Sequence, residues 1–277
     1  MLGVERRGLR PLPWRETRDP WAVLVAEVML QQTQARRVVE PYHRFIERFP
    51  TPARCAAAGA GAVLGAWRGL GYNRRARALH EAAGVVVQRH RGSVPDRLEA
   101  LRALPGVGPY TARAVLVFAF GRDEAVVDVN VARVLARAVA GTALGPAAAQ
   151  RLADALVPAG RGWAWNQALM EVGATVCTAR DPACGRCPLA RSCTWRRRRA
   201  GPDPATRPGA RPAPFEGSDR QGRGRLVDAL RVAPVSPARL ASACGWPADA
   251  ARARRVADAV VADGLARRGP GGTLRLP

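Results

Sequence analysis

Leu104-Pro105-Gly106-Val107-Gly108-Pro109-Tyr110-Thr111-Ala112 is the stretch on which the fold depends. Helical patterns flank it, one near 96–103 and another near 109–120. Gly106 and Gly108 permit a tight turn between them, and Pro109 suits the first position of the helix that follows. A helix N-terminus opening on such a turn offers free backbone N–H groups to a phosphate, irrespective of base sequence. A plain corner between two helices is the simpler alternative; the flanking Leu, Pro and Tyr-Thr-Ala favour the phosphate-gripping hairpin.

Working outward, the chain reads as helices on both sides of this hairpin. Trp21, Leu24, Val25, Val28 and Met29 fall on one helical stripe, and Val131, Val134, Leu135, Ala138 and Val139 repeat the pattern. No alternating strand pattern precedes the tail, so the front of the chain is predicted to be all-α. From about residue 223, helix-like segments near 223–231, 237–243 and 248–264 precede a Gly/Pro turn at 269–272 and two short extended pieces. Three helices and a hairpin predict a small winged-helix-like domain over 223–277. Residues 196–222, rich in Arg, Gly, Pro and Ala without apolar periodicity, read as a mobile linker.

The composition points to the same kind of partner. All 44 basic side chains among the 277 residues are Arg; against 22 acids the formal charge is +22. Residues 1–199 carry 31 Arg and 15 acids, and residues 200–277 carry 13 Arg and 7 acids, so both parts are basic. Such a charge implies a polyanion, nucleic acid first. Bias toward GC-rich codons accounts for Arg in place of Lys but not for bases outnumbering acids two to one. The missing Lys excludes Lys Schiff-base chemistry, Lys-anchored pyridoxal phosphate and a Walker-type phosphate loop. No apolar run reaches a membrane span and the N-terminal residues lack an apolar signal core, so the expectation is a cytoplasmic, nucleoid-associated protein that needs no membrane.

Four of the six cysteines, Cys177, Cys184, Cys187 and Cys193, are spaced C-x6-C-x2-C-x5-C. Thiolates this close can ligate one centre, either an iron–sulfur cluster or zinc. Only Cys184 and Cys187 form a zinc-type knuckle, which favours [4Fe–4S]. Cys55 and Cys244 stand alone and read as packing residues.

Two carboxylates stand out. Glu27 shares a helix face with Val23 and Leu30, and an apolar setting raises a carboxyl pKa toward the range of a general acid. Asp128 precedes a helix beginning near 130, where its carboxylate can cap free N–H groups and the helix dipole keeps it ionised. A surface ion pair for Glu27 and simple capping for Asp128 are the plainer readings. Together the two suit an acid and an anion for breaking a glycosidic bond.

Hairpin, following Asp and cysteine run, in this order, resemble the helix–hairpin–helix DNA glycosylases that carry an iron–sulfur cluster. Within them the chain is most similar to the MutY-type adenine glycosylases. The matching stretches are Leu-Pro-Trp-Arg at 12–15, Glu-Val-Met-Leu-Gln-Gln-Thr-Gln at 27–34, Gly-Leu-Gly-Tyr at 69–72, the hairpin, Val-Asp-Val-Asn-Val at 127–131 and the cysteines.

The resemblance implies a glycosylase domain over 1–195, with a six-helix barrel at about 22–130 and a cluster lobe from 1–21 and 131–195. It also implies duplex DNA containing a mismatched adenine as partner, and a flipped target base. By the same match Glu27 protonates the adenine ring, Asp128 stabilises the sugar cation, and Tyr110 and Asn130 support them. Gln31, Gln32, Tyr72, Gly106 and Gly108 contact DNA, with Gln32 and Tyr72 wedging into the base stack. The protein is expected to act as a monomer. Tyr110 stands where strand-cleaving relatives carry a Lys, so an intact abasic product is expected.

Three departures bear on specificity. The tail is too short and of the wrong pattern for the family's 8-oxoguanine-reading domain, position 73 is Asn where an aromatic residue is frequent, and position 129 is Val where a small residue is common. A thymine or uracil glycosylase acting on G mismatches, and a non-catalytic iron–sulfur DNA-binding protein, are the competing readings.

Overall fold

The computed structural model describes residues 8–198, 202–205 and 214–277. Along the chain run α1 (Pro20–Leu30), α2 (Ala35–Arg48), α3 (Pro52–Ala57), α4 (Gly59–Ala66), α5 (Arg74–His90), α6 (Leu98–Arg102) and α7 (Pro109–Phe118). They are followed by α8 (Val129–Leu135), α9 (Pro146–Asp154), α10 (Gly162–Thr175), α11 (Thr194–Arg198), α12 (Asp219–Val232), α13 (Leu240–Cys244) and α14 (Ala250–Ala262). The strands among the described residues are β1 (Arg267–Arg268) and β2 (Leu274–Arg275), so the front of the chain is all-α as its sequence predicts. None of these helices is long and apolar enough to cross a membrane.

Helix starts follow local chemistry. Thr51, Ser218 and Asp249 cap α3, α12 and α14 with side-chain oxygens that accept backbone N–H bonds. Pro opens α3, α7 and α9. One expectation changes: α1 carries no single stripe. Every residue from Trp21 to Met29 is buried, because a helix apolar nearly all round packs on all sides.

The chain divides into two compact units. The first comprises Met1–Val23, Asp96–Arg102 and Val107–Ala210. Its core gathers Val131, Val134 and Leu135 of α8, Ala153 of α9 and Trp165, Leu169 and Val172 of α10. The carboxylate of Glu171, on α10, accepts bonds from Arg10 Nε at 2.7 Å and an Arg15 terminal nitrogen at 2.9 Å. Burial works against that carboxylate, but the two guanidinium bonds win and hold its pKa below the usual range.

The second unit comprises Leu24–Pro95, Ala103–Gly106 and Arg211–Pro277. Phe45 packs edge-on against Phe49 and Trp67 with centroids at 4.9 and 6.0 Å. In the tail, Leu226, Val227, Val256, Val260, Leu265 and Leu274 are buried, and β1 and β2 pair antiparallel with Arg267 facing Arg275. Residues 107–130 group with the cluster region, and the tail groups with residues 24–95 through long-range packing that no local pattern announces. Parts of the expected 196–222 linker, 199–201 and 206–213, lie outside the described residues. Within it, Asp203 is anchored by the buried side chain of Arg137, with Arg137 Nε donating to it at 2.9 Å.

Candidate functional site

Glu27, Gln31, Gln32, Tyr72 and Gly106 belong to the second unit; Gly108, Tyr110, Asp128, Asn130 and the four cysteines belong to the first. Glu27 lies in the middle of α1 with 4% of its surface exposed, so the plainer reading of it as a surface ion pair fails. One turn further the helix ends, and Gln32 takes a left-handed φ of +57°. Tyr72 does the same at φ +46°, after Gly69 and Gly71 at φ +85° and +67°. A non-glycine residue there costs about 1–2 kcal/mol and persists only where its surroundings impose it. Tyr72 is 53% exposed, so its ring is presented rather than packed.

The group that imposes both turns is Arg75, near the start of α5, which sequence reading missed. Its guanidinium is buried and donates to the carbonyls of Val28 at 3.1 Å and Met29 at 2.8 Å, and to that of Gln31. Its other terminal nitrogen donates to Thr33 Oγ1 at 3.0 Å, Leu70 O at 3.1 Å and Gly71 O at 3.2 Å. One planar cation therefore ties the end of α1 to the Gly69–Tyr72 turn, with the Tyr72 ring 5.4 Å away. Burial pushes its pKa down to about 10, which still leaves it charged near neutrality. The signal was present: Arg75, Leu79, Ala82, Ala83 and Val86 form the buried face of α5.

At the hairpin the two glycines have different reasons. Gly106 sits at φ +75°, and a Cβ there would stand 2.7 Å from that of Ala78. Gly106 O also accepts from Gln31 Nε2 at 3.3 Å. Gly108 is extended at φ −85° and takes the cap position of α7, with nothing near where its Cβ would be. Bare backbone therefore faces open space before Pro109, while Tyr110, the second residue of α7, is half-buried.

In the first unit Asp128 caps α8. Its Oδ1 accepts from the backbone N–H groups of Asn130 at 2.9 Å and Val131 at 2.7 Å, and its Oδ2 from Asn130 Nδ2 at 2.9 Å. Both oxygens are thus fixed in place. The chain of bonds continues: Arg133 donates to Asn130 Oδ1 at 2.8 Å, to Gly173 O at 2.7 Å and to Cys177 O at 2.7 Å. A Cβ on Gly173 would stand 2.8 Å from Asn130, so glycine is needed for α10 to approach this closely. The carboxylate and the first cysteine are joined through two side chains.

Cys177, Cys184, Cys187 and Cys193 border one cavity with Val134, Arg137 and Trp195, enclosing about 390 Å³ of empty space that includes its open mouth. They surround it rather than meeting at one point, and among the described residues no three His, Cys, Asp or Glu side chains converge as ligands of a single ion. Burial pushes the Cys187 thiol up, a backbone bond from Leu189 opposes this, and the charges of the other three thiols push it further. Four cysteine sulfurs around one cavity form a donor set that fits an iron–sulfur cluster. Cys55 and Cys244 are fully buried, as packing residues are.

Residues 25–158 match the family model described as HhH-GPD superfamily base excision DNA repair protein, and residues 177–193 match the iron–sulfur binding domain of endonuclease III. The second match decides between the centres left open by the spacing: this segment is an iron–sulfur binding domain. An adenine DNA glycosylase of Mycobacterium tuberculosis is 46% identical over 284 residues, covering 100% of this chain and 92% of that one. The chain belongs to the adenine DNA glycosylase family. A human member is 43% identical over 203 residues, covering 68% of this chain and 37% of its own, so the family likeness to it is partial. Among solved structures, a thermostable thymine-DNA glycosylase superposes with a TM-score of 0.66 at 32% identity, covering 71% of this chain and 93% of its own. The helix–hairpin–helix glycosylase fold read from the sequence is therefore the fold of the chain.

Proposed function

We propose that this protein is a monofunctional adenine DNA glycosylase of base excision repair, acting as a monomer on duplex DNA of the cytoplasmic nucleoid and removing adenine mispaired with 8-oxoguanine or guanine. The observation that carries this reading is the likeness to an adenine glycosylase along the whole chain, tail included.

The chemistry follows from the residues. Glu27, shielded from water within α1, gives its proton to the ring of the flipped adenine. The bond between the sugar C1′ and the base nitrogen then breaks, its electron pair leaving with the neutral base. Asp128, held by three hydrogen bonds, stabilises the positive charge on the sugar without reorganising. Water bonds to C1′, its proton goes to a carboxylate, and an intact abasic site remains. Asn130 fixes the Asp128 carboxylate with its side-chain amide, Tyr110 plays a supporting part, and Tyr110 offers no amine for strand cleavage. Gln31, the left-handed Gln32 and Tyr72, with Gly106 and Gly108, engage the duplex, and residues 223–277 form a winged-helix-like module. Cys177, Cys184, Cys187 and Cys193 hold a [4Fe–4S] cluster, which when bound cross-links this segment; base hydrolysis moves no electrons.

Glycosylase assays on duplexes with adenine opposite 8-oxoguanine, guanine or cytosine, and with thymine opposite guanine, test the reading. Adenine should leave from the first two, with strands breaking only in hot alkali. Release of thymine instead would support the competing reading, which the likeness to a thymine-DNA glycosylase keeps in view. Efficient strand cleavage trapped by borohydride would overturn the monofunctional assignment.

A further inference from the structure

The tail residues bear directly on the turn that presents Tyr72. Arg231, near the end of α12, has only 7% of its side chain exposed. It donates from Nε to the carbonyl of Leu64 at 3.0 Å and from a terminal nitrogen to Oδ1 of Asn73 at 2.8 Å. Asn73 occupies the cap position of α5, where an Asn normally turns its side chain onto the helix N–H groups. Here it makes no such bond, and its side-chain oxygen serves the tail's arginine instead. A second clamp grips the first turn of the same helix. Arg77 donates to the backbone carbonyl of Asp263 at 2.5 Å, and Arg74 pairs with the Asp263 carboxylate at 2.6 Å. Around Pro277 the fit is equally close, since a Cβ on Gly61 would stand 2.5 Å from its carbonyl oxygen.

We propose that the C-terminal segment braces the Tyr72 turn, with Arg231 as a positioning residue acting through Asn73. The inference rests on the proposed DNA-engaging role of Tyr72. Arg75 fixes that turn from within α1 and α5, and Arg231 fixes the residue immediately after Tyr72 from the tail. Asn at position 73 is then the tail's acceptor, matched to Arg231 rather than a lost aromatic.

The test uses the full chain and its variants R231A, R231K and N73A, each also placed in a Y72A background. The readouts are single-turnover adenine excision at saturating enzyme, and the fluorescence of 2-aminopurine placed beside the mismatch, which rises when the stack is opened. R231A and N73A should each lower excision about tenfold and blunt the fluorescence rise, since each loses a hydrogen bond to a charged group. R231K, with one nitrogen for the three separate acceptors Leu64 O, Asn73 Oδ1 and the Asp228 carboxylate, should recover little. In the Y72A background R231A should cause no more than about a twofold further loss, since its effect runs through the ring. An equal loss with and without Tyr72 makes Arg231 merely structural and overturns the proposal, as does unchanged fluorescence in both R231A and N73A. Wild-type protein that releases no adenine but still opens the stack overturns the proposed function while leaving the brace intact.

Discussion

Replacing Arg75 with Met, similar in length and without charge, removes the cation beneath both left-handed turns. Three of its bonds, to Val28 O, Met29 O and Leu70 O, are fully buried. A hydrogen bond to a charged group is worth about 1.5–3 kcal/mol, so the three together reach roughly 4–9 kcal/mol before relaxation. Against this, taking a guanidinium out of water costs several kcal/mol, which the Met variant no longer incurs. A net destabilisation of about 3 kcal/mol is expected, equivalent to roughly 6–12 °C in Tm for a protein of this size. The released turns let Gln32 and Tyr72 relax to ordinary backbone angles, so single-turnover excision should also fall at least about tenfold. Thermal melting and single-turnover kinetics on one preparation separate the two effects. A Tm within about 2 °C of wild type would refute the account of Arg75 as the shared strut. Arg75→Lys should recover little, because a single ammonium cannot reach acceptors on both turns.

Other outcomes follow from the same geometry. Asp128→Asn keeps the cap but removes the charge, so excision should fall about a thousandfold or more while the Kd for mismatched duplex stays near wild type; unchanged turnover would remove Asp128 from the mechanism. Gly106→Ala meets both the positive φ and Ala78, and chemical denaturation should show a loss of about 2–3 kcal/mol. Gly108→Ala should leave stability within about 0.5 kcal/mol and weaken duplex binding by titration, because its Cβ enters only the space before α7. The folded pKa of Glu171 is depressed, so its stabilising pairs with Arg10 and Arg15 count fully above the unfolded carboxyl value of about 4.3 and disappear as pH falls through the folded value. Melting curves from neutral pH to pH 3 should therefore show Glu171→Gln about 2 kcal/mol less stable at neutrality and equal to wild type in acid.

What the sequence made legible was local. The hairpin at 104–112, the cap at Asp128 and the spacing of Cys177 to Cys193 are short patterns whose chemistry depends on neighbours in the chain, and each is seen where it was expected. The left-handed turns were signalled by Gly69 and Gly71 but not by Gln32 and Tyr72, whose backbone angles are imposed from outside. Arg75 was hidden within Arg74-Arg75-Ala76-Arg77 in a chain already rich in Arg, although its place on the apolar face of α5 marks it. Arg133 was hidden in the same way, its acceptors on α10 and at Cys177 being 40 and 44 residues distant. The bond from Arg231 to Asn73 spans 158 residues, and pairings of that range leave no periodic trace.

A chain without Lys does not hold arginines that are all alike. The structure divides them by replaceability. Arg75, Arg133 and Arg231 each spread their nitrogens over acceptors on separate segments, and Arg137 bonds Asp203 together with the carbonyls of Thr178 and Ala179. A rigid fork of five donors can do this and a lone ammonium cannot. At exposed positions such as Arg254, Arg255 and Arg267 a positive charge is all that the surroundings require, and Lys would serve. Codon preference is thus free to set the residue on the surface, while beneath it the fold itself demands Arg.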